Sequence, residues 1–333
     1  MYRPILLSLC LFVITSCAIQ PTVLPTALPS DTPPPPTSTP VPASPTPTLT
    51  PTETPTATPV PLVPNFRHIV IIIFENREAG FVFGNTAQMP TYNRYADEYA
   101  ALTQYYAVTH PSLPNYIALI SGDTQGINRN CEDCFIDAPS LPDLIEASGR
   151  TWRTYQEDMP SPCFTGSTLS YVQKHNPFIY FDPIRLDAAR CERGIVPFSA
   201  LYDDLAAGAL PNFIFITPNL CNSAHDCDLD VADQWLKNLM LSLQPALDAT
   251  GEPYLIILTF EEGQGNHSCC GLPTEAGGRV ATVLVSPQVK NGFEDDTPYS
   301  HYSLLKTIAE AWGLPYLGHA ADELTALIVA PWK

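Results

Sequence analysis

The chain has 333 residues, 45% of them hydrophobic, and carries 34 Asp and Glu against 16 Lys and Arg for a formal net charge of −18. That much apolar material suffices for a buried core, since one α/β core can absorb roughly 250 residues. The acidic balance argues against nucleic acid or an anionic membrane surface as a partner, but not against a small phosphorylated ligand held locally by a cation, a helix N-terminus and a few basic groups.

Arg3 precedes an apolar run over 4–15 that is too short to cross a bilayer comfortably and closes on Ile14-Thr15-Ser16-Cys17. The run reads as an export signal, and a small residue before a cysteine resembles the bacterial lipobox, in which that cysteine becomes the lipidated first residue. Residues 1–17 are expected to be a lipoprotein signal with Cys17 lipidated; the plainer alternative is an ordinary signal peptide with a bystander cysteine. Residues 18–64 are dominated by Pro, Thr and Ser, as in Pro33-Pro34-Pro35-Pro36. Such a segment cannot bury apolar area and favours extended polyproline II, so it serves as a disordered spacer. A folded domain over 65–333, held outside the cytoplasm by a lipid anchor in the bacterial cell membrane, completes the expected organisation.

Within the domain, short runs rich in Ile and Val at 67–74, 212–217, 254–260 and 280–285 have the look of strands buried on both faces. Helical stretches are expected at 91–101, 113–121, 141–148, 198–207, 231–247 and 302–312. Alternation of this kind implies an α/β fold, a three-layer α/β/α sandwich around a mostly parallel sheet. Of ten cysteines, Cys10 and Cys17 lie in the leader and eight in the domain. An even set in an exported chain favours disulfides, with Cys131 to Cys134 and Cys221 to Cys227 as plausible local pairs; a zinc site built on Cys131 and Cys134 is the rival reading.

In such sheets ligands bind beyond the carboxyl ends of the strands, and acids stand there: Glu75 with Asn76 after the first run, Glu261 and Glu262 after the third, Asp226 downstream of the second. Ser112 opens an apparent helix. Its bland reading is an N-cap with proline in the first turn; its functional reading is a nucleophile whose alkoxide is stabilised by the helix dipole and a neighbouring metal. His68 and His319 read as structural histidines.

Six runs in order resemble one family: Glu75-Asn76; His110-Pro111-Ser112-x-Pro114-Asn115-Tyr116 with Ser121-Gly122; Lys174-His175-Asn176-Pro177; the loop from Asn219 to Asp226; Asp233-x-Trp235-Leu236; and Ser300-His301-Tyr302-Ser303-Leu304-Leu305. Together they are similar to the bacterial and fungal phosphoesterase family of the alkaline phosphatase superfamily, which holds acid phosphatases, phosphatidylinositol 3-phosphatases and phospholipases C. The resemblance implies that a divalent metal ion is held by Glu75, Asn76, Ser112, Glu261 and Glu262, with Ser112 as the nucleophile. It also implies catalytic places for Lys174, His175, His110 and His301, substrate contacts at Asn115, His225 and His267, and supporting acids at Asp226 and Asp233. One position departs: where the family shows Trp-Asp-Glu this chain has Phe260-Glu261-Glu262, a ligand arm longer by one methylene.

The implied reaction is hydrolysis of a phosphate monoester through a phosphoserine, on a small phosphorylated substrate or a phospholipid head group. A phospholipase C would use the same residues on a diester, and a noncatalytic surface-display module is the alternative from another class. No Cys-x-Pro-x-Arg run is present to make a formylglycine, which disfavours a sulfatase.

Overall fold

The computed structural model describes residues 61–333; Cys17, the leader and most of the proline-rich segment lie outside them. Ten strands follow in chain order: β1 (His68–Phe74), β2 (Ala100–Leu102), β3 (Tyr105–Tyr106), β4 (Trp152–Gln156), β5 (Ile195–Pro197), β6 (Phe213–Thr217), β7 (Tyr254–Phe260), β8 (Thr282–Val285), β9 (Phe293–Asp295) and β10 (Tyr299–Ser300). The helices are α1 (Ala79–Val82), α2 (Pro90–Glu98), α3 (Ser112–Ser121), α4 (Leu141–Ala147), α5 (Asp182–Arg185), α6 (Ala188–Gly194), α7 (Ser199–Ala207), α8 (Leu229–Thr250) and α9 (His301–Trp312).

Eight strands form one sheet in the order β5-β4-β6-β1-β7-β8-β2-β9. Only β8 runs against the others, pairing antiparallel with β7 and β2. Every residue of β1 and β7 is buried, which requires cover on both faces and explains their continuous Ile, Val and Leu. Helices supply it, with α2 packed on α8 and α3 on α9. The α/β architecture expected from the sequence is what the chain adopts.

Differences from the expected elements are local. The helix expected over 91–101 stops at Glu98, and Ala100–Leu102 pairs instead as β2 between β8 and β9; three small apolar residues carry no periodicity that distinguishes strand from helix. Strands β4, β5 and β9 escaped the sequence reading because they are short and chemically mixed. In β4 the buried polar residues satisfy one another, Gln156 Nε2 donating to Thr154 Oγ1 at 2.7 Å and to Thr217 Oγ1 at 3.1 Å.

All eight cysteines of the domain pair: Cys131 with Cys134, Cys163 with Cys191, Cys221 with Cys227 and Cys269 with Cys270. The disulfides take up the cysteines of the zinc reading and are in keeping with an oxidising compartment.

His68, at the start of β1, is buried, and its Nδ1–H donates to the Pro211 carbonyl at 2.8 Å. Burial lowers its pKa, assisted by Arg67 and opposed by the Pro211 bond and Glu252. The folded state therefore disfavours the proton that an unfolded histidine binds near pH 6.5. The stability that follows is full above that pH and is lost as the pH falls below it. Urea midpoints measured from pH 7.5 to 5 should decline, and His68→Gln should flatten part of that slope; an unchanged slope would remove the assignment.

Candidate active site

The carboxyl ends of β6, β1 and β7 lie side by side, and the register of Phe74 on Phe260 sets Glu75 and Glu261 at the same level on neighbouring strands. Paired strands stand about 4.8 Å apart, so the two buried carboxyls share one space. Asn76 adopts the left-handed conformation, φ 50°, which asparagine tolerates better than most residues. The turn it makes lets its own N–H donate to Glu261 Oε2 at 2.7 Å.

Tyr116, one turn into α3, donates its hydroxyl to Glu75 Oε1. Burial first, and then the charge of Glu75, push that phenol well above its ordinary range, so it stays a donor. His175 stacks on Tyr116 with ring centroids 5.4 Å apart, and its Nε2 lies 3.2 Å from Glu75 Oε2. Those two atoms are close enough to attract but are not aligned for a hydrogen bond: Glu75 Oε2, His175 Nε2 and Glu261 Oε1 are all buried without a hydrogen-bond partner.

The neighbouring carboxyls are driven in opposite directions. Burial raises both, but around Glu75 the charge and proximity of His175, with Lys174 behind it, override burial and hold the group below the usual range. Burial and then the charge of Glu75 push Glu261 well above it.

A second group surrounds the serine. Pro111, not Ser112, occupies the N-cap of α3, and no side chain caps the helix from that position. The Ser112 hydroxyl donates instead to Glu262 Oε1 at 3.1 Å, which corrects the capping reading. The Leu113 amide is satisfied by Asn130 Oδ1 at 3.1 Å. His110 Nδ1 lies 2.5 Å from Glu262 Oε2, and its Nε2 lies 3.0 Å from the Gly265 carbonyl. Both ring nitrogens face acceptors, so the ring donates from each. The Glu262 bond, opposed by burial, raises its pKa.

Next to His175 in the chain, Lys174 Nζ approaches His225 Nε2 at 3.5 Å, while His225 Nδ1–H donates to Asp226 Oδ1 at 2.6 Å. The His225 and His175 rings are 5.8 Å apart, and the loop bearing His225 is tied to the centre where Glu75 N donates to the Ser223 carbonyl at 2.8 Å.

Four of the residues singled out from the sequence make contacts of their own in the structure. Asn115 is fully buried and spends its carboxamide on the turn ahead of α3, accepting from Val108 N at 2.9 Å and Thr109 N at 3.1 Å and donating to the Thr109 carbonyl at 2.7 Å. It has no group left for substrate and is a clamp on the Ser112 turn. His301 is buried; its Nε2–H donates to the Glu261 carbonyl at 2.6 Å and its Nδ1 accepts from Tyr105 at 3.2 Å. Burial lowers its pKa to about 4, with the Glu261 bond opposing, so it is a neutral prop for Glu261. Asp233 accepts from Thr91 N at 3.0 Å and Tyr92 N at 2.8 Å, fixing the first turn of α2. His267 is exposed and faces Glu78 Oε1 at 3.3 Å.

Sequence reasoning missed Tyr116 as the partner of Glu75, although it lies inside a quoted motif, because a tyrosine in an apolar helix gives no sign of where its hydroxyl points. It also passed over Glu157, which takes the Trp235 indole N–H at 3.0 Å and the Asn219 amide at 2.8 Å and so braces the loop that carries His225.

Two buried carboxylate oxygens without donors are costly. They fit a hard cation that prefers oxygen ligands. Among the described residues no three His, Cys, Asp or Glu side chains form a ready chelating cluster, so an ion there would draw on Asn76 and Ser112 as well as the acids.

The sequence matches the Phosphoesterase family over residues 85–315. The chain belongs to that family. It is 36% identical over 266 residues to the phosphate-repressible acid phosphatase of Penicillium chrysogenum, covering 76% of this chain and 60% of that protein. It is 36% identical over 229 residues to an acid phosphatase of Aspergillus fumigatus, 65% of this chain and 49% of that one. The phosphatidylinositol-3-phosphatase of Mycobacterium tuberculosis is 32% identical over 267 residues, 78% of this chain and 81% of the relative. The chain thus spans about half to three-fifths of the two fungal proteins. Among solved structures, a Vibrio parahaemolyticus protein of the alkaline phosphatase superfamily aligns with TM-score 0.51 at 11% identity, covering 79% of this chain and 71% of that one. A Pseudoalteromonas sulfatase aligns with TM-score 0.50 at 13% identity, covering 80% and 74%. These likenesses establish the alkaline-phosphatase-like fold.

Proposed function

We propose that this domain is an acid phosphatase-like phosphomonoesterase acting through Ser112. The observation that carries the reading is the Ser112 hydroxyl, free of capping duty and bonded to Glu262, the residue that follows Glu261 with its orphaned carboxyl oxygen. Glu75, Asn76, Glu261, Glu262 and Ser112 are the residues that would hold a divalent metal ion, which when bound supplies charge to lower the serine pKa and neutralise phosphoryl oxygens.

The chain's own groups do the rest. Glu262 orients Ser112 Oγ through its accepting oxygen while His110 fixes the other oxygen of the same carboxylate. Oγ gives its proton to Glu262 Oε1 and attacks phosphorus, the Oγ–P bond forms as the bond to the departing alcohol breaks, and the alcohol takes a proton from Lys174, which stands beside His225. Water then attacks the phosphoserine, releasing inorganic phosphate and restoring the hydroxyl.

The phosphatase names of the relatives favour monoesters. The disulfide-stapled domain would meet its small phosphorylated substrate or phospholipid head group outside the cytoplasm, held there by a lipid on Cys17. Purified domain should hydrolyse p-nitrophenyl phosphate in preference to its phosphorylcholine diester; the reverse preference would make it a phospholipase C, and no hydrolysis of either a binding module. For the anchor, Cys17→Ala should move the protein from membranes to the soluble fraction, and wild-type protein already soluble after export would refute it.

A further inference from the structure

The acid immediately before α1 does not serve its own helix. Glu78 occupies the N-cap of α1, yet its side chain makes no capping bond. It reaches instead into residues 263–279, the segment between β7 and β8. Oε2 accepts from the backbone N–H groups of Gln264 and Gly265, each at 3.0 Å, and Oε1 accepts from Arg279 N at 3.1 Å with His267 Nδ1 at 3.3 Å. One carboxylate thus gathers both ends of a long segment, and the chain closes around it: Gly263 N donates to the Gly277 carbonyl at 2.6 Å and Gly278 N to the His267 carbonyl at 3.2 Å.

Gly263 stands closest against that carboxylate. A Cβ on Gly263 would stand 2.3 Å from Glu78 Oε2, while one on Gly278, at φ +84°, would meet the Gly265 carbonyl at 2.7 Å as well as Glu78 Oε2 at 2.9 Å.

What the segment delivers to the site is the Gly265 carbonyl, which takes the Nε2–H of His110. Glu78 binds the N–H of the same residue. The contacts run without a gap from Glu78 to Gly265, from Gly265 to His110, from His110 to Glu262 and from Glu262 to the Ser112 hydroxyl.

We infer that Glu78 is a positioning residue for the nucleophile: by fixing Gly265 it sets the His110 ring, and through it the carboxylate that aims Ser112. The inference rests on the Ser112 reading. A charged acceptor of three backbone N–H groups is hard to replace. Glutamine offers one acceptor oxygen and turns an N–H₂ toward N–H groups, so the segment would loosen although shape is kept.

The test uses the whole disulfide-bonded domain with p-nitrophenyl phosphate. Glu78→Gln should lower kcat by roughly 10–100-fold, the scale seen when groups that orient a site's ligands are lost, with KM nearly unchanged. In a His110→Gln background the same change should cost little more, because the two residues act along one line. Amide exchange at Gln264, Gly265 and Arg279 should rise in Glu78→Gln while that of β1 and β7 stays slow. Unchanged kcat with faster exchange would reduce Glu78 to a loop clamp, and losses that multiply in the double variant would show that it does not act through His110; either overturns the inference while leaving the proposed function standing. Wild-type domain without hydrolytic activity would instead remove the proposed function and this role with it.

Discussion

Ser112→Ala should lower turnover of p-nitrophenyl phosphate by roughly 10⁵–10⁶-fold, the scale on which catalytic serines are lost, while the thermal midpoint moves by only a few degrees. The separation of the two effects follows from the local contacts. A capping serine would cost about 1 kcal/mol of stability on replacement and leave chemistry alone. Here the helix start is held by other groups, the Asn130 carboxamide on Leu113 N and the Asn115 clamp on the preceding turn, and the hydroxyl is spent on Glu262. Its removal takes one hydrogen bond from a carboxylate that keeps His110, a net effect of about 1 kcal/mol, but it takes away the atom that must bond to phosphorus. Acid-quenched wild-type enzyme given labelled substrate should carry phosphate on Ser112. Retained turnover in the alanine variant, or label on a histidine, would leave a phosphohistidine or a direct attack by water as the surviving mechanisms.

How much of this could be read beforehand depends on what kind of signal each feature leaves. Strands β1 and β7 announce themselves because a central strand covered on both faces must be apolar throughout, and the acids that follow them were located by the same runs. Strands β2, β4, β5 and β9 left no such mark; short or half-polar segments become strands only because a neighbour offers a ladder. Helix α3 was legible in its extent but not in its first residue, since proline in the first turn made Ser112 look like a cap while the chain places Pro111 there. Side-chain direction was the least legible of all. Asn115, His301 and Asp233 each sit in a motif that pointed to chemistry, and each is turned toward backbone, holding a turn, a strand end and a helix start. Glu78 was passed over for the converse reason: an exposed-looking acid among Arg77 and Ala79 gives no hint that a segment more than 180 residues away folds round it.

The carboxylate pair carries the last expectation, one that does not depend on turnover. Glu75 and Glu261 end neighbouring parallel strands, both buried, each with one oxygen lacking a donor. Tyr116 and the Asn76 amide each satisfy one oxygen, on Glu75 and Glu261 respectively, and His175 attracts Glu75 without an aligned bond, so a negative field remains. A divalent cation that binds there stabilises the folded state by mass action, adding about 2.7 kcal/mol at a hundred times its dissociation constant. Wild-type protein stripped with chelator should therefore melt lower than the same protein resupplied with a divalent ion. Glu75→Gln and Glu261→Gln should shrink that difference and lower bound metal, measured by elemental analysis, because each removes a charge from a hard-cation site. The chelated variants should melt no lower than chelated wild type in the case of Glu261→Gln, since burial and the charge of Glu75 already favour the neutral form at this position and the amide still accepts from Asn76 N through its oxygen. Glu75→Gln loses in addition the attraction to His175 and should melt lower. A wild-type melting point indifferent to metal, or variants that bind as much metal as wild type, would separate these carboxyls from ion binding and leave Ser112 to be activated by Glu262 and His110 alone.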